Sequence, residues 1–259
     1  MVPNITRELE EIVKEAGKLL LSYWKTGVCE IKKDAGYYTQ ADIDSETYLK
    51  EKLYALFPAD FIAEESGVSG ASNNGYRWVI DPLDGTTNFA HRISYFCVSV
   101  ALTHHDEPII GAVYNPLMDE YYYAQKGAGA TLNGTQIRVS QPEKFSNALI
   151  GFGLAYDARH RAETVGRAQI IATQARSVRH FGAVALDFAN LACGRLDGVI
   201  FSHLSWWDIA AGILLVSEAG GSASQIDGSA LGPNFVSCVA GGHMVYKKLK
   251  ELAKSPTDS

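Results

Sequence analysis

The chain has 259 residues, 47% hydrophobic and 20% charged, a globular composition that rules out a disordered or collagen-like chain and suits one domain or two closely packed lobes. Its 23 Lys and Arg stand against 29 Asp and Glu, a formal charge of -6, which is the wrong sign for gripping a phosphate backbone, so no nucleic acid is expected as partner. Four cysteines, Cys29, Cys97, Cys193 and Cys238, form no C-x-x-C pair, charged residues from Arg7 to Lys18 interrupt any signal-peptide core, and no apolar run reaches the roughly 18 residues of a membrane span. A cytoplasmic protein without a membrane partner is expected.

Apolar residues from Ile5 to Trp24 recur at steps of three and four, as on one face of a helix. A second helix is predicted over Asp42 to Phe57 and stopped by Pro58. Short β-branched and aromatic runs follow at Phe61 to Ala63, Arg77 to Ile80, Phe96 to Thr103, Ile109 to Tyr114 and Glu120 to Ala124, which read as a mostly antiparallel sheet. Asn133-Gly134 is a hairpin signal between Ala130 to Leu132 and Gln136 to Val139. After Pro142, strands at Ala148 to Phe152, Ser177 to His180, Gly198 to Phe201 and Phe235 to Ala240 alternate with helices at Asp157 to Gln174, Ala183 to Ala192, Trp207 to Ala219 and Met244 to Ala253. This is α/β content, with a first lobe over residues 1–141 and a second over 142–259, joined without a linker.

Four acidic features stand out: Asp42 at a helix start, Glu64-Glu65 after a strand, Asp81-Pro82-Leu83-Asp84-Gly85-Thr86-Thr87, and Asp208 after Trp206-Trp207. Singly, each has an ordinary reading as a turn residue, a helix cap or a solvated strand end. Proline pushes Asp81 toward extended geometry, so the chain is expected to turn there. Such a turn can aim Asp81, the Leu83 carbonyl and Asp84 at one point, a set of hard oxygen ligands suited to Mg2+. Gly85 permits a tight turn, and a short helix opening at Thr86 offers free N–H groups to an anion.

Taken together, the heptapeptide, the Glu-Glu before it and Trp207-Asp208-Ile209-Ala210-Ala211-Gly212 after it resemble the inositol monophosphatase family, from about Ile5 to Leu249. The resemblance implies an α/β fold of layered αβαβα sandwich type, shared with fructose-1,6-bisphosphatase, and Mg2+-dependent hydrolysis of a small phosphate monoester by activated water, without a covalent intermediate. Carried onto this chain, the metal ligands are Glu64, Asp81, the Leu83 carbonyl, Asp84 and Asp208, holding two to three Mg2+ ions. Asp42 and Thr86 fall on the pair that orients the attacking water together with Glu64, Glu65 is an acid behind the ligands, and Gly85 and Thr86 supply phosphate-binding amides. A homodimer and sensitivity to lithium are implied as well.

The chain departs from the inositol-specific pattern at the alcohol-binding wall, to which Asp84 and Asp208 also belong. Gly182-Ala183-Val184 ends in Val where Ala is expected, and Phe201 stands where a Glu would accept ring hydroxyls. Losing that acceptor costs about 1–3 kcal/mol per buried group left unpaired. Phe201 can line an altered pocket or pack in the core. Inositol monophosphate is the first expectation, with histidinol phosphate, fructose 1,6-bisphosphate or adenosine 3',5'-bisphosphate as sister substrates and a non-catalytic regulatory protein as the alternative of another class. Lys32, Lys33, Arg176 and Arg179 are open as contacts to phosphate or as surface charges.

Overall fold

The computed structural model describes residues 5–26, 39–71, 74–154 and 158–254. In chain order the elements are α1 (Thr6–Thr26), α2 (Gln40–Leu56), β1 (Asp60–Ala63), β2 (Gly67–Ser69), β3 (Tyr76–Asp84), α3 (Thr86–Ala90), β4 (Cys97–His104), β5 (Glu107–Asn115), β6 (Glu120–Gln125), β7 (Gly129–Leu132) and β8 (Thr135–Gln136). After a short 3-10 turn at Phe145–Asn147 come β9 (Leu149–Phe152), α4 (Ala158–Ala172), β10 (Ser177–Arg179), α5 (Val184–Ala192), β11 (Gly198–Ser202), α6 (Trp206–Glu218), β12 (Ser222–Ser224), β13 (Ser237–Gly241) and α7 (His243–Ala253). No helix among the described residues is long and apolar enough to cross a membrane.

Two sheets organise these elements. An eight-stranded sheet runs in the order β2-β1-β3-β4-β5-β6-β7-β8, and a five-stranded one in the order β10-β9-β11-β13-β12. The first is antiparallel except where β1 lies parallel to β3. Strand alternation sorts its side chains: Trp78, Ile80, Val98, Val100 and Leu102 face α1 and α2, whereas Val79, Cys97 and Ala101 face a central layer built from α5 and α6. On the far side of the five-stranded sheet, Ile150, Ile200 and Val239 pack with Val245 and Leu249 of α7 and Ile171 of α4. Helices, sheet, helices, sheet, helices is the layered αβαβα order.

The structure departs from the sequence reading at Asp81-Pro82. The chain does not turn there; β3 continues to Asp84, and its pairing with β4 shifts register between Asp81 and Asp84. Proline lacks an N–H for the ladder but is tolerated at such a bulge. The turn falls at Gly85, which has φ 91°. A β-carbon there would lie 2.9 Å from the Tyr95 carbonyl oxygen and 3.0 Å from the Ala183 β-carbon, so both conformation and space call for glycine. The expected strand Gln136 to Val139 shortens to Thr135–Gln136, while β2 and β12, three residues each, were too short to show a pattern.

Candidate active site

Parallel pairing of β1 with β3 sets Ala63 opposite Ile80, so Glu64 and Asp81 leave their strands side by side, with the Glu64 N–H on the Ile80 carbonyl at 3.2 Å. The Glu64 and Asp81 carboxyls face each other closely enough for each to alter the other's ionisation. Burial and the nearby Glu64, Asp84 and Asp208 charges push Asp81 well above the usual carboxylate range. Glu64 keeps a solvent-facing edge, yet desolvation, then the Asp208 charge, raise its pKa to about 8. Glu65, beside it and half-buried, adds negative charge, and its N–H is bound by Glu46 at 2.8 Å.

Asp84 is 6% exposed and reaches across to the opening turn of α5. Its Oδ1 accepts the Val184 N–H at 3.0 Å, its Oδ2 accepts those of Ala185 at 2.7 Å and Leu186 at 3.3 Å, and the Cys97 thiol approaches Oδ2 at 3.5 Å. Desolvation nevertheless lifts its pKa to about 6 against the lowering effect of those bonds. Asp208 sits on the first turn of α6, where it accepts the Ser205 N–H at 2.6 Å; desolvation and the Asp84 charge raise it to about 7.

Asp42, fully buried, accepts the Thr39 N–H at 2.8 Å and the Thr39 hydroxyl at 2.5 Å, a capping box that opens α2. Its other oxygen lies 3.2 Å from the Thr86 hydroxyl, which is also 2.9 Å from the Leu83 carbonyl. Burial raises Asp42 to about 6. The helix-cap reading of Asp208 is thus close but misplaced within the first turn: Ser205 is the N-cap and Asp208 the third helical residue, which completes its capping box as Asp42 does for Thr39.

Glu64 just after β1, Asp81 and Asp84 on β3, and Asp208 on α6 perturb one another's ionisation. Among the described residues, however, no three His, Cys, Asp or Glu side chains are gathered in a ready metal-holding arrangement; the carboxylates are turned to one another and to the backbone donors of Leu83, Val184, Ala185, Leu186 and Ser205. Like charges brought together disfavour ionisation and favour hydrogen-bond donors as neighbours, and no described Lys, Arg or His forms an ion pair with any of the four. An all-oxygen donor set under this repulsion fits a hard divalent cation such as Mg2+.

The wall residues divide. Val184 borders the acids through its N–H on Asp84, whereas Gly182, with φ 83°, lies two residues earlier against the Asn88 side chain. Phe201 is 2% exposed, 5.8 Å from the Phe188 ring centroid, and its ring lies 2.6 Å from where a Gly153 β-carbon would be. This is the core-packing alternative: Phe201 lies within the central layer's apolar cluster, not on an open wall. Arg179 is exposed and bonds Ser177 and Val178 of its own strand, the Arg176 N–H is on the Ala148 carbonyl, and Lys32 and Lys33 lie outside the described residues.

Sequence reasoning missed Thr39, whose hydrogen bonds fix Asp42, and the α5 amides that hold Asp84. A Thr three residues before Asp42 is a capping signal that could have found the first; the second spans 100 residues and leaves no local trace.

A family model described as the inositol monophosphatase family matches residues 2–257. The "Inositol-1-monophosphatase" of Mesorhizobium japonicum is 38% identical over 228 residues, 87% of this chain and 86% of that protein. A "Nus factor SuhB" of Xylella fastidiosa is 34% identical over 232 residues, 86% of this chain and 84% of that protein. Among solved structures, the extragenic suppressor protein suhB from Bartonella henselae superposes with a TM-score of 0.91 at 31% identity, covering 98% of this chain and all of that one. The inositol monophosphatase from Anabaena (Nostoc) superposes at 0.86 with 34% identity, covering 96% of each.

Proposed function

Because this chain belongs to the inositol monophosphatase family, a family of phosphoric monoester hydrolases, we propose that it cleaves the phosphate of inositol monophosphate with Mg2+ as cofactor. The observation that carries the reading is the convergence of Glu64, Asp81, Asp84 and Asp208, oxygen donors that crowd one another's charges with no described Lys, Arg or His ion-paired to any of them. These side chains, with the Leu83 carbonyl, would hold two to three Mg2+ ions. Bound there, Mg2+ would neutralise the phosphate dianion and make hydroxide available at neutral pH.

The chain's own groups do the remaining work. The Thr86 hydroxyl, set between Asp42 and the Leu83 carbonyl, and Glu64 would orient the attacking water and take up its proton. Asp42 is fixed in advance by Thr39, which lowers the entropy lost on reaching an aligned attack. The Gly85 and Thr86 amides would receive the phosphate. Asp84, Asp208, Gly182 and Val184 would face the alcohol, with Phe201 behind them as support. A homodimer, lithium inhibition and a cytoplasmic setting complete the proposal.

Among sister esters, histidinol phosphate, fructose 1,6-bisphosphate and adenosine 3',5'-bisphosphate stay as competitors because no carboxylate stands at position 201. The second reading, a regulatory protein without catalysis, takes its support from the relative named a Nus factor, but all five matched ligand positions are intact. Phosphate release from inositol 1-phosphate and the three competitors, with Mg2+ and with a chelator, tests both. Release from inositol 1-phosphate that requires Mg2+ is expected; faster release from a competitor would move the substrate, and none at any Mg2+ concentration would favour the regulatory reading.

A further inference from the structure

Asp187 is 1% exposed, lies in the first turn of α5, and belongs to none of the roles above. Its Oδ1 accepts the Tyr95 hydroxyl at 2.6 Å, while its Oδ2 is buried without a partner. A half-satisfied buried carboxyl is costly and calls for a reason. Tyr95 is held from three directions. Asn190 donates to its hydroxyl at 3.0 Å and to the Leu186 carbonyl at 3.0 Å. Its ring stacks on Phe181 with centroids 4.8 Å apart. Asn88, on α3 just after the Gly85 turn, donates to the Tyr95 carbonyl at 2.8 Å and the Phe181 carbonyl at 2.7 Å.

These bonds converge on one object, the start of α5. Phe181 leads directly into Gly182, Ala183 and Val184, and the amides of Val184, Ala185 and Leu186 hold Asp84. We propose that the Tyr95–Asp187 hydrogen bond is a positioning latch that fixes the first turn of α5 and, through it, the Asp84 carboxylate and the substrate wall. Tyr95 follows α3 at the entry to β4 and Asp187 lies in the central layer, so one bond ties the acidic motif to the helix that supports it. The consequence for metal binding rests on the function proposed above; the latch itself does not.

The test pairs a readout on metal-free, full-length protein with one on metal. Tyr95→Phe removes only the hydroxyl and keeps the ring on Phe181. Loss of a hydrogen bond to a carboxyl should speed amide exchange at Val184, Ala185 and Leu186 about tenfold, with central β4 and β5 amides unchanged. The same variant should weaken Mg2+ binding by calorimetry about five- to tenfold. Asp187→Asn retains an acceptor for Tyr95 and should leave exchange at the three amides as in the parent, whereas Asp187→Leu should reproduce Tyr95→Phe. Unchanged exchange at these amides in a folded Tyr95→Phe protein overturns the latch, as does faster exchange spread evenly over the chain. Faster local exchange with unaltered Mg2+ affinity overturns the link to Asp84. If the parent binds no Mg2+, the phosphatase reading falls, and the exchange comparison alone decides the latch.

Discussion

Replacing Asp208 by Asn should stabilise the metal-free protein, and the gain should depend on pH. The Asp208 pKa rises from 3.8 to about 7 in the fold, so ionisation there opposes folding. A group with a raised folded pKa contributes fully below its unfolded pKa and loses that contribution as pH climbs to the folded value. At about 1.4 kcal/mol per pKa unit the opposition comes to about 4.5 kcal/mol above neutral pH; with solvent screening of a carboxyl that is only partly buried, about 2 kcal/mol remains. Asparagine stays neutral and its carbonyl can keep the 2.6 Å bond from the Ser205 N–H. In chelator, thermal melts of Asp208→Asn and parent should therefore coincide near pH 4, diverge up to about pH 7 and run parallel above it, the variant melting roughly 4–8 °C higher for a chain of this size. A variant that melts below the parent at pH 8, or a difference that ignores pH, would refute the electrostatic account of the site.

Adding Mg2+ at pH 8 should raise the parent's melting temperature and do so far less at pH 5, where Glu64, with a pKa of about 8, and Asp208, with one of about 7, are protonated; a shift of equal size at both values in scanning calorimetry would count against these carboxylates as ligands. Thr86→Ala should cut kcat by about 100-fold with little change in melting, since it removes a hydroxyl set between Asp42 and Leu83; unimpaired phosphate release would remove Thr86 from the mechanism. Phe201→Glu should lower stability by about 3 kcal/mol or more, because it buries a charge against Phe188, with activity on all esters falling together; a stable variant with an altered substrate ratio would put Phe201 back on the wall.

The acidic heptapeptide and the second Trp-Asp segment were legible because their chemistry is local in sequence, and the main helices because their periodicity is long. What stayed hidden was set by distant partners. Asp81-Pro82 looks like a turn until β4 is beside it; with Cys97 paired to Asp84, the same residues become a bulged strand. Phe201 carries no mark of its burial, which depends on the space left by Gly153 and on Phe188. Likewise, nothing near Tyr95 foretells Asp187, which lies 92 residues further on. Strands β2 and β12 owe their existence to a neighbour's free edge, not to a pattern of their own.

Helix α6, which carries Asp208, is seated with almost no slack. A β-carbon on Gly212 would fall 2.4 Å from that of Phe188, and one on Gly111 would fall 2.9 Å from the Ala211 carbonyl oxygen. This tight seating divides the chain by how freely it can drift. Substitutions at 111, 211 and 212 must displace a whole helix to be accommodated, so a mutational library should reject nearly all of them whatever ester is supplied. Exposed positions away from this seat, such as Arg179, carry no such constraint. New substrates would therefore be acquired by changing residues outside this packed helix, around an acidic centre that it holds in place.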